Sequence, residues 1–470
     1  MVLAAAAALA GCGSTTYFNG RTLPPSKLLH RVLVAIQNPS AGTGGALEII
    51  DAYYDIRFAY NNSSQTFSIS SYSGSLPATI QNLAEEELGV VYGTGDNSLA
   101  LIDYAKESSS GSGASLGAAA TSVFMTRDKQ YIFAAVPSSH VLYIYNRNTS
   151  TGYTLSLPGV YRLSVNPGGT ALLAFRQNAN DAYYLRALTS AQTLEYAGGS
   201  TKWPKAAVDC EPMSAPKWCA FQVQSPDSTD STGNTYGAAL NFDRPVKALF
   251  SSDGGTAYVL SCGEECGGTS SKVTILPVAP LIFTAGEASG KLPKTGALTE
   301  ISVPGGASNA LIYSSTMYVI GQQLQSDGLF TGKLTVVNLK KNTAGSAIGI
   351  SDGLAGATSR MVLADDDTLW IGMTKCDNGE RYAKSLSYGC LTMFDTSTNS
   401  VKLIEPYLGD ATGIAAVTGL NKVYVAQGGQ LYIYKTTTGA SLDNQYVTVT
   451  GTAYDAAYID AASDSNNTVY

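Results

Sequence analysis

Val423-Tyr-Val-Ala426 is followed, after a Gly-Gly turn, by Gln430-Leu-Tyr-Ile-Tyr434. β-Branched and aromatic residues alternate here over runs of four to six positions, which is strand chemistry, and Gly428-Gly429 tolerates the positive φ of a tight turn. The same unit recurs along the chain. Leu369-Trp-Ile-Gly372 precedes Cys390-Leu-Thr-Met-Phe-Asp395, and Met317-Tyr-Val-Ile320 precedes Leu334-Thr-Val-Val-Asn338. Ala257-Tyr-Val-Leu260, Ala171-Leu-Leu-Ala-Phe175, Tyr131-Ile-Phe-Ala134, Val90-Val-Tyr-Gly93 and Arg31-Val-Leu-Val-Ala-Ile36 each lead a further copy. Turn-forming clusters come before several of them: Asn166-Pro-Gly-Gly169, Ser252-Asp-Gly-Gly255, Arg127-Asp-Lys129 and Asp365-Asp-Asp367. No stretch sustains a helical apolar period.

Eight copies spaced mostly 40–60 residues apart, with 86 residues between Ala171 and Ala257, are the mark of a repeat architecture. A four-stranded sheet cannot bury both its faces alone, but sheets stacked radially can. The expected fold is therefore all-β: a β-propeller of eight blades, with seven as the alternative, each of four antiparallel strands. The long gap is read as an insertion at about residues 192–236 between the third and fourth strands of one blade. The first copy lacks a preceding inner strand. Thr450-Gly-Thr-Ala-Tyr-Asp-Ala-Ala-Tyr-Ile-Asp460 is expected to supply it, clasping tail to head and removing open edges. A clipped C-terminus is the other reading, since Asn467-Thr-Val-Tyr470 looks like the start of a strand.

The chain of 470 residues carries 29 Lys+Arg against 36 Asp+Glu, a formal net charge of -7, with no basic block. That balance argues against nucleic-acid binding, which relies on bases to neutralise phosphates. Two histidines leave little room for His-based metal sites or acid–base chemistry. No cofactor or metal is expected.

The first residues form an address. Met1-Val2-Leu3, five alanines and Leu9-Ala10-Gly11-Cys12 read as a secretory signal, too short for the ~20 apolar residues of a membrane span. Leu-Ala-Gly-Cys resembles the bacterial lipobox, which implies acylation of Cys12 and a signal peptide over 1–12. With no basic n-region, the true start is expected upstream. Residues 13–30 form a polar tether, and 31–470 a single propeller domain. Six further cysteines fall into near neighbours, expected as disulfides Cys210–Cys219, Cys262–Cys266 and Cys376–Cys390 in an oxidising compartment. A zinc site using Cys262-x3-Cys266 is the rival reading.

These units, such as Val90-Val-Tyr-Gly93 followed by Ser98-Leu-Ala-Leu-Ile-Asp103, resemble the YVTN-type repeat of bacterial surface propellers, in which a Val-Tyr-Val strand is followed by a Val-Ile-Asp strand. Phe242-Asp-Arg-Pro-Val246 through Tyr258, with Cys262-Gly-Glu-Glu-Cys266-Gly-Gly-Thr269, resembles an uncharacterised branch of envelope lipoproteins with that fold. The resemblance covers most of the chain after residue 30. It implies a monomeric, lipid-anchored envelope protein, at the outer membrane, that meets a protein or glycan partner and no nucleic acid.

Loops between second and third strands should crowd one face, where rigid scaffolds carry function. The candidate binding residues there are His140, Arg176, Asp181, Glu264, Glu265, Arg381 and Gln427; none is assigned as catalytic. His140 alone on a loop reads first as solvated, Arg176 with Asp181 as an ion pair, and Asp365–Asp367 as a turn without the spaced acids of a calcium loop. Two function classes follow. One is a non-catalytic binding module. The other is a lactonase-like enzyme acting on a sugar lactone, which would need acid, Arg and His groups converging near the axis. A quinoprotein is disfavoured because only three Trp occur.

Overall fold

The computed structural model describes residues 21–38, 44–59, 62–109, 114–188, 207–210, 218–225, 228–229, 235–236, 239–283, 292, 297–351, 356–374, 376, 389–404 and 408–463. The fold is an eight-bladed β-propeller of antiparallel blades. Among the described residues, helix is confined to short 3-10 turns, and no helix is long and apolar enough to cross a membrane.

Blade 1 joins Thr452–Tyr458 to Arg31–Asn38 and then Gly44–Asp51, while Ser68 bridges Glu48 at the outer edge. Blade 2 starts at Pro77–Leu83, blade 3 at Ser122–Met125, blade 4 at Val160–Val165 and blade 5 at Pro245–Phe250. Blade 6 starts at Asn309–Tyr313, blade 7 at Ala357–Leu363 and blade 8 at Ala411–Val417. Blades 2, 3 and 5–8 are four-stranded and run through the sheet in chain order. Blade 4 has five strands. The segment read as an insertion holds its last two: Trp218–Gln222 pairs with Ala182–Ala187 as the fourth strand, and Ala207–Cys210 lies outside it. The fourth strand, Trp-Cys-Ala-Phe-Gln, lies inside that segment, because the repeat signature marks the second and third strands and leaves the fourth unmarked.

The turns between first and second strands explain the Asn/Asp/Gly clusters. Lys129, Gly169, Gly254 and Asp367 occupy equivalent turn positions with φ of 62, 65, 70 and 64°. At Asn166 the side-chain oxygen accepts the backbone N–H groups of Thr170 and Ala171, both at 2.8 Å, which ties the two ends of the turn together. The three Asp residues 365–367 serve the same purpose: Asp366 accepts the Thr368 hydroxyl at 2.7 Å.

The described residues fall into two compact units. The first takes Met1–Ser115, Val362–Leu369 and Thr412–Val469. Its core packs Val32, Val34 and Ile36 against Tyr424, Ile433 and Tyr458, and a second cluster holds Leu33, Ile49, Val91 and Tyr104. The C-terminal strand that precedes Arg31 in the sheet is thus the seal expected from sequence. The second unit takes Leu116–Met361 and Trp370–Ala411. In it Phe133, Trp218 and Phe283 meet edge to face or tilted, with ring centroids 5.7–6.1 Å apart, beside Leu163 and Leu185. First strands of blades 3, 4, 5 and 6 sit side by side there.

Candidate functional site

The most organised part of the second unit is the loop between the second and third strands of blade 5. Cys262 and Cys266 form a disulfide around the 3-10 turn Gly263–Cys266. Asp243 and Arg244 just ahead of the first strand both take left-handed backbone conformations, at φ 58 and 65°. That turns the Asp243 carboxylate onto the loop, where it accepts the N–H groups of Thr269 and Ser270 and both their hydroxyls, at 2.7–3.1 Å. Burial pushes the Asp243 acid up, but these hydrogen bonds outweigh it and hold it below the usual range. A Cβ at Gly268 would stand 2.1 Å from Asp243 Oδ1, so only glycine passes this close.

The loop divides its two acids. Glu264 faces solvent. Glu265 turns inward, where its carboxylate accepts the Gln322 N–H of blade 6 at 2.9 Å. Burial raises it to about 6, partly opposed by that bond, by Ser308 and by the charge of Arg162. Beside the loop lies a polar cavity of ≈ 460 Å³ lined by Asn180, Asn241, Arg244, Thr269, Ser270 and Lys272. A second cavity, ≈ 540 Å³, lies among the first-to-second-strand turns around Asn166 and Asp253, whose polar groups are spent on the turns themselves.

Arg176 and Asp181 come together in blade 4. The guanidinium makes a two-pronged contact at 2.7–3.1 Å, and Asp181 also accepts Tyr183 Oη at 2.7 Å and Gln222 Nε2 at 3.0 Å. The carboxylate is saturated, and Arg176 stacks over the Tyr183 ring at 5.1 Å. Burial first, then the bond to Asp181, drives the Tyr183 hydroxyl far up. This is a brace at the rim of the face.

His140 is exposed, and its left-handed backbone (φ 57°) closes the turn ahead of Val141–Asn146. Gln427 is wholly buried and accepts the Tyr434 hydroxyl at 3.0 Å, so it faces the interior of blade 8. It pairs with Gln430 at the end of the strand, a register that its loop-like Gln-Gly-Gly sequence conceals. Arg381 and Cys12 lie outside the described residues. Disulfides join Cys210 to Cys219 across neighbouring strands of blade 4, and Cys376 to Cys390.

Three bases that no loop motif marks share one strand position. Arg162, Lys247 and Arg360 stand at the same place in the first strands of blades 4, 5 and 7, three residues before the strand ends. A one-residue bulge precedes both Arg162 and Lys247. Bulges re-aim the side chain that follows. Lys247 is 7% exposed, and its Nζ donates to Asn309 Oδ1 in the neighbouring first strand at 2.7 Å. Burial lowers it to about 7, with the charges of Arg162 and Arg360 adding. The signal in the sequence is a base four residues ahead of each turn, at Asn166, Ser251 and Ala364.

No family model matches the chain, and no curated protein does. Solved structures do. Dihydro-heme d1 dehydrogenase NirN in complex with DHE aligns with TM-score 0.50 at 10% identity, over 96% of this chain and 78% of that one. A Bacteroides fragilis protein described as a candidate 6-phosphogluconolactonase aligns with TM-score 0.47 at 8% identity, over 91% and 97%. The β-propeller domain of Myceliophteria thermophila Cps50 (Swd1) aligns with TM-score 0.41 at 8% identity, over 76% and 94%. At such identities the likeness is one of fold alone, and a fold does not by itself fix function.

Proposed function

We propose that the protein is an exported β-propeller of the bacterial cell envelope, anchored by a lipid on Cys12, that acts as a monomeric, non-catalytic binding module for an envelope protein or glycan. The observation that carries the reading is the blade 5 loop. A disulfide, two left-handed residues and a four-bond carboxylate clamp hold a polar cavity of ≈ 460 Å³ in one shape. Preorganisation of that kind lowers the ordering cost of docking. Arg244 and Lys272 line the cavity, with amides from Asn180 and Asn241, a mixture suited to hydroxyl-rich or acidic groups. Three disulfides fit an oxidising compartment.

The test has two arms. Cys12→Ser should release the protein from membranes, and unchanged retention removes the anchor. A panel of envelope glycans and purified envelope proteins should yield a binder that Lys272→Ala weakens; binding indifferent to that change removes the cavity from the function.

One observation favours a second reading. Glu265 and Lys247 stand in one unit, and burial brings the first up to about 6 and the second down to about 7, the range in which enzyme acids and bases work. A lactonase-like activity on sugar lactones is that alternative. Turnover of a lactone panel by the full chain would establish it and displace the binding reading.

A further inference from the structure

The first-strand bases do not line the cavity beside the braced loop. Like charges brought together away from water repel, and a buried ammonium is costly unless paired. Packing of the blades could be achieved with apolar residues, as Ile414 does three residues before the end of the first strand of blade 8. Among the described residues neither Arg162 nor Lys247 makes an ion pair. Arg162 is only half-buried and makes no hydrogen bond among them, so its guanidinium keeps its donors in reach of solvent. Lys247 has Asn309 as its acceptor, and that amide oxygen is shared with the Ala310 N–H at 2.9 Å. The acid whose field reaches Arg162 is Glu265, held by the Gln322 N–H.

We propose that these leading ends of the first strands form a site for an oxyanion group of a ligand, a carboxylate or a phosphate, gripped by Arg162, Lys247 and Arg360. Guanidinium forks match the two oxygens of either group, and an ammonium serves as the point charge between them. The bulges before Arg162 and Lys247 give the site its rigidity, because they fix where each base leaves its strand. The charge balance gives it a proton signature. With no anion bound, burial first, and the charges of Arg162 and Arg360 after it, bring Lys247 down to about 7. An anion restores the proton, so binding takes protons up and weakens as pH rises through about 7. Glu265 from blade 5 works in the same sense, because its protonation toward about 6 removes a negative charge whose field reaches Arg162.

The experiment is calorimetric titration of the full chain with citrate and, in a separate arm, inorganic phosphate, at low ionic strength and slightly below neutral pH. Saturable binding of at least one probe is expected. Arg162→Gln and Lys247→Met should each weaken it about tenfold, the scale of one charge-assisted hydrogen bond lost. Repetition in buffers of different ionisation enthalpy should reveal proton uptake that disappears in Lys247→Met. That variant removes a buried charge at constant length, so its melting temperature should hold or rise, which separates lost binding from lost fold. Citrate alone assigns a carboxylate, and phosphate alone a phosphoryl group. Absence of saturation by either probe into the millimolar range, or binding unmoved by both substitutions, overturns the proposal. The proposal does not need the cavity beside the blade 5 loop. Anion uptake that survives Lys272→Ala keeps it standing even where capture of an envelope partner fails.

Discussion

Arg31→Met is the perturbation that tests how the first unit is sealed. Arg31 is 1% exposed at the start of its strand, and it reaches the far end of the chain. Its Nη2 and Nε donate to the Asp460 carboxylate at 2.6–3.3 Å, and its own N–H donates to Asp460 Oδ2 at 2.7 Å. Nη1 donates to the Tyr104 carbonyl at 2.6 Å and to Glu107 Oε1 at 3.0 Å. The side chain of Asp460 is fully buried. Methionine keeps the length but strands that carboxylate. Breaking one side of a buried pair costs about 3–5 kcal/mol, while replacing both sides is often close to neutral. At ~2–4 °C per kcal/mol for a unit of this size, the first transition should fall by roughly 6–20 °C. The assay is calorimetry of Arg31→Met, Asp460→Asn and the double variant, with hydrogen exchange read at Thr452–Tyr458. The double variant should lose less than the sum of the two, a coupling of about 2–3 kcal/mol. Exchange should quicken in Thr452–Tyr458 before it does in the second unit. A fall equivalent to less than about 1 kcal/mol, or strict additivity, would refute the view that this triad locks tail to head.

His30 should make the same seam sensitive to acid. Burial lowers its pKa below 6.5 against the opposing charges of Asp460 and Asp51, with Lys422 adding to the lowering, and its Nδ1 lies 3.0 Å from Tyr458 Oη. A lowered histidine contributes stability that is complete above 6.5 and is lost as pH falls toward the folded value, since the unfolded chain then binds the proton more readily. Melting of the first unit should therefore decline below about pH 6.5, and His30→Gln should flatten that decline; an unchanged slope would remove His30 from the effect. Gly268→Ala should cost about 1–3 kcal/mol, because the new methyl meets the Asp243 carboxylate, and should speed reduction of Cys262–Cys266. Equal reduction rates in the two proteins would show that the clamp does not guard the disulfide. Mass spectrometry without reductant should find three intramolecular disulfides; a free thiol at Cys210 or Cys219 would leave the outer strand of blade 4 unstapled.

The repeating strand pairs could be read from the chain because alternation and turn chemistry are local: Val423–Ala426 with Gln430–Tyr434 carries its own hairpin in a dozen residues. Near-neighbour cysteines were legible for the same reason. The tail was legible as a missing strand, since an open edge demands a partner. Sequence alone also isolated Arg176 with Asp181, five residues apart, as a pair. It could not tell that Gln427, in a turn-like Gln-Gly-Gly, points inward, or that Glu264 and Glu265 face opposite ways. Burial depends on what the next blade presents, and no local pattern records that. Least legible were Arg162, Lys247 and Arg360, separated by 85 and 113 residues along the chain. What relates them is the shared strand position, with bulges before Arg162 and Lys247 and the first strands of blades 4 and 5 side by side. Local alternation thus determined the blades, whereas the meeting of distant charges was decided by packing, because their fields act through space and are indifferent to distance along the chain.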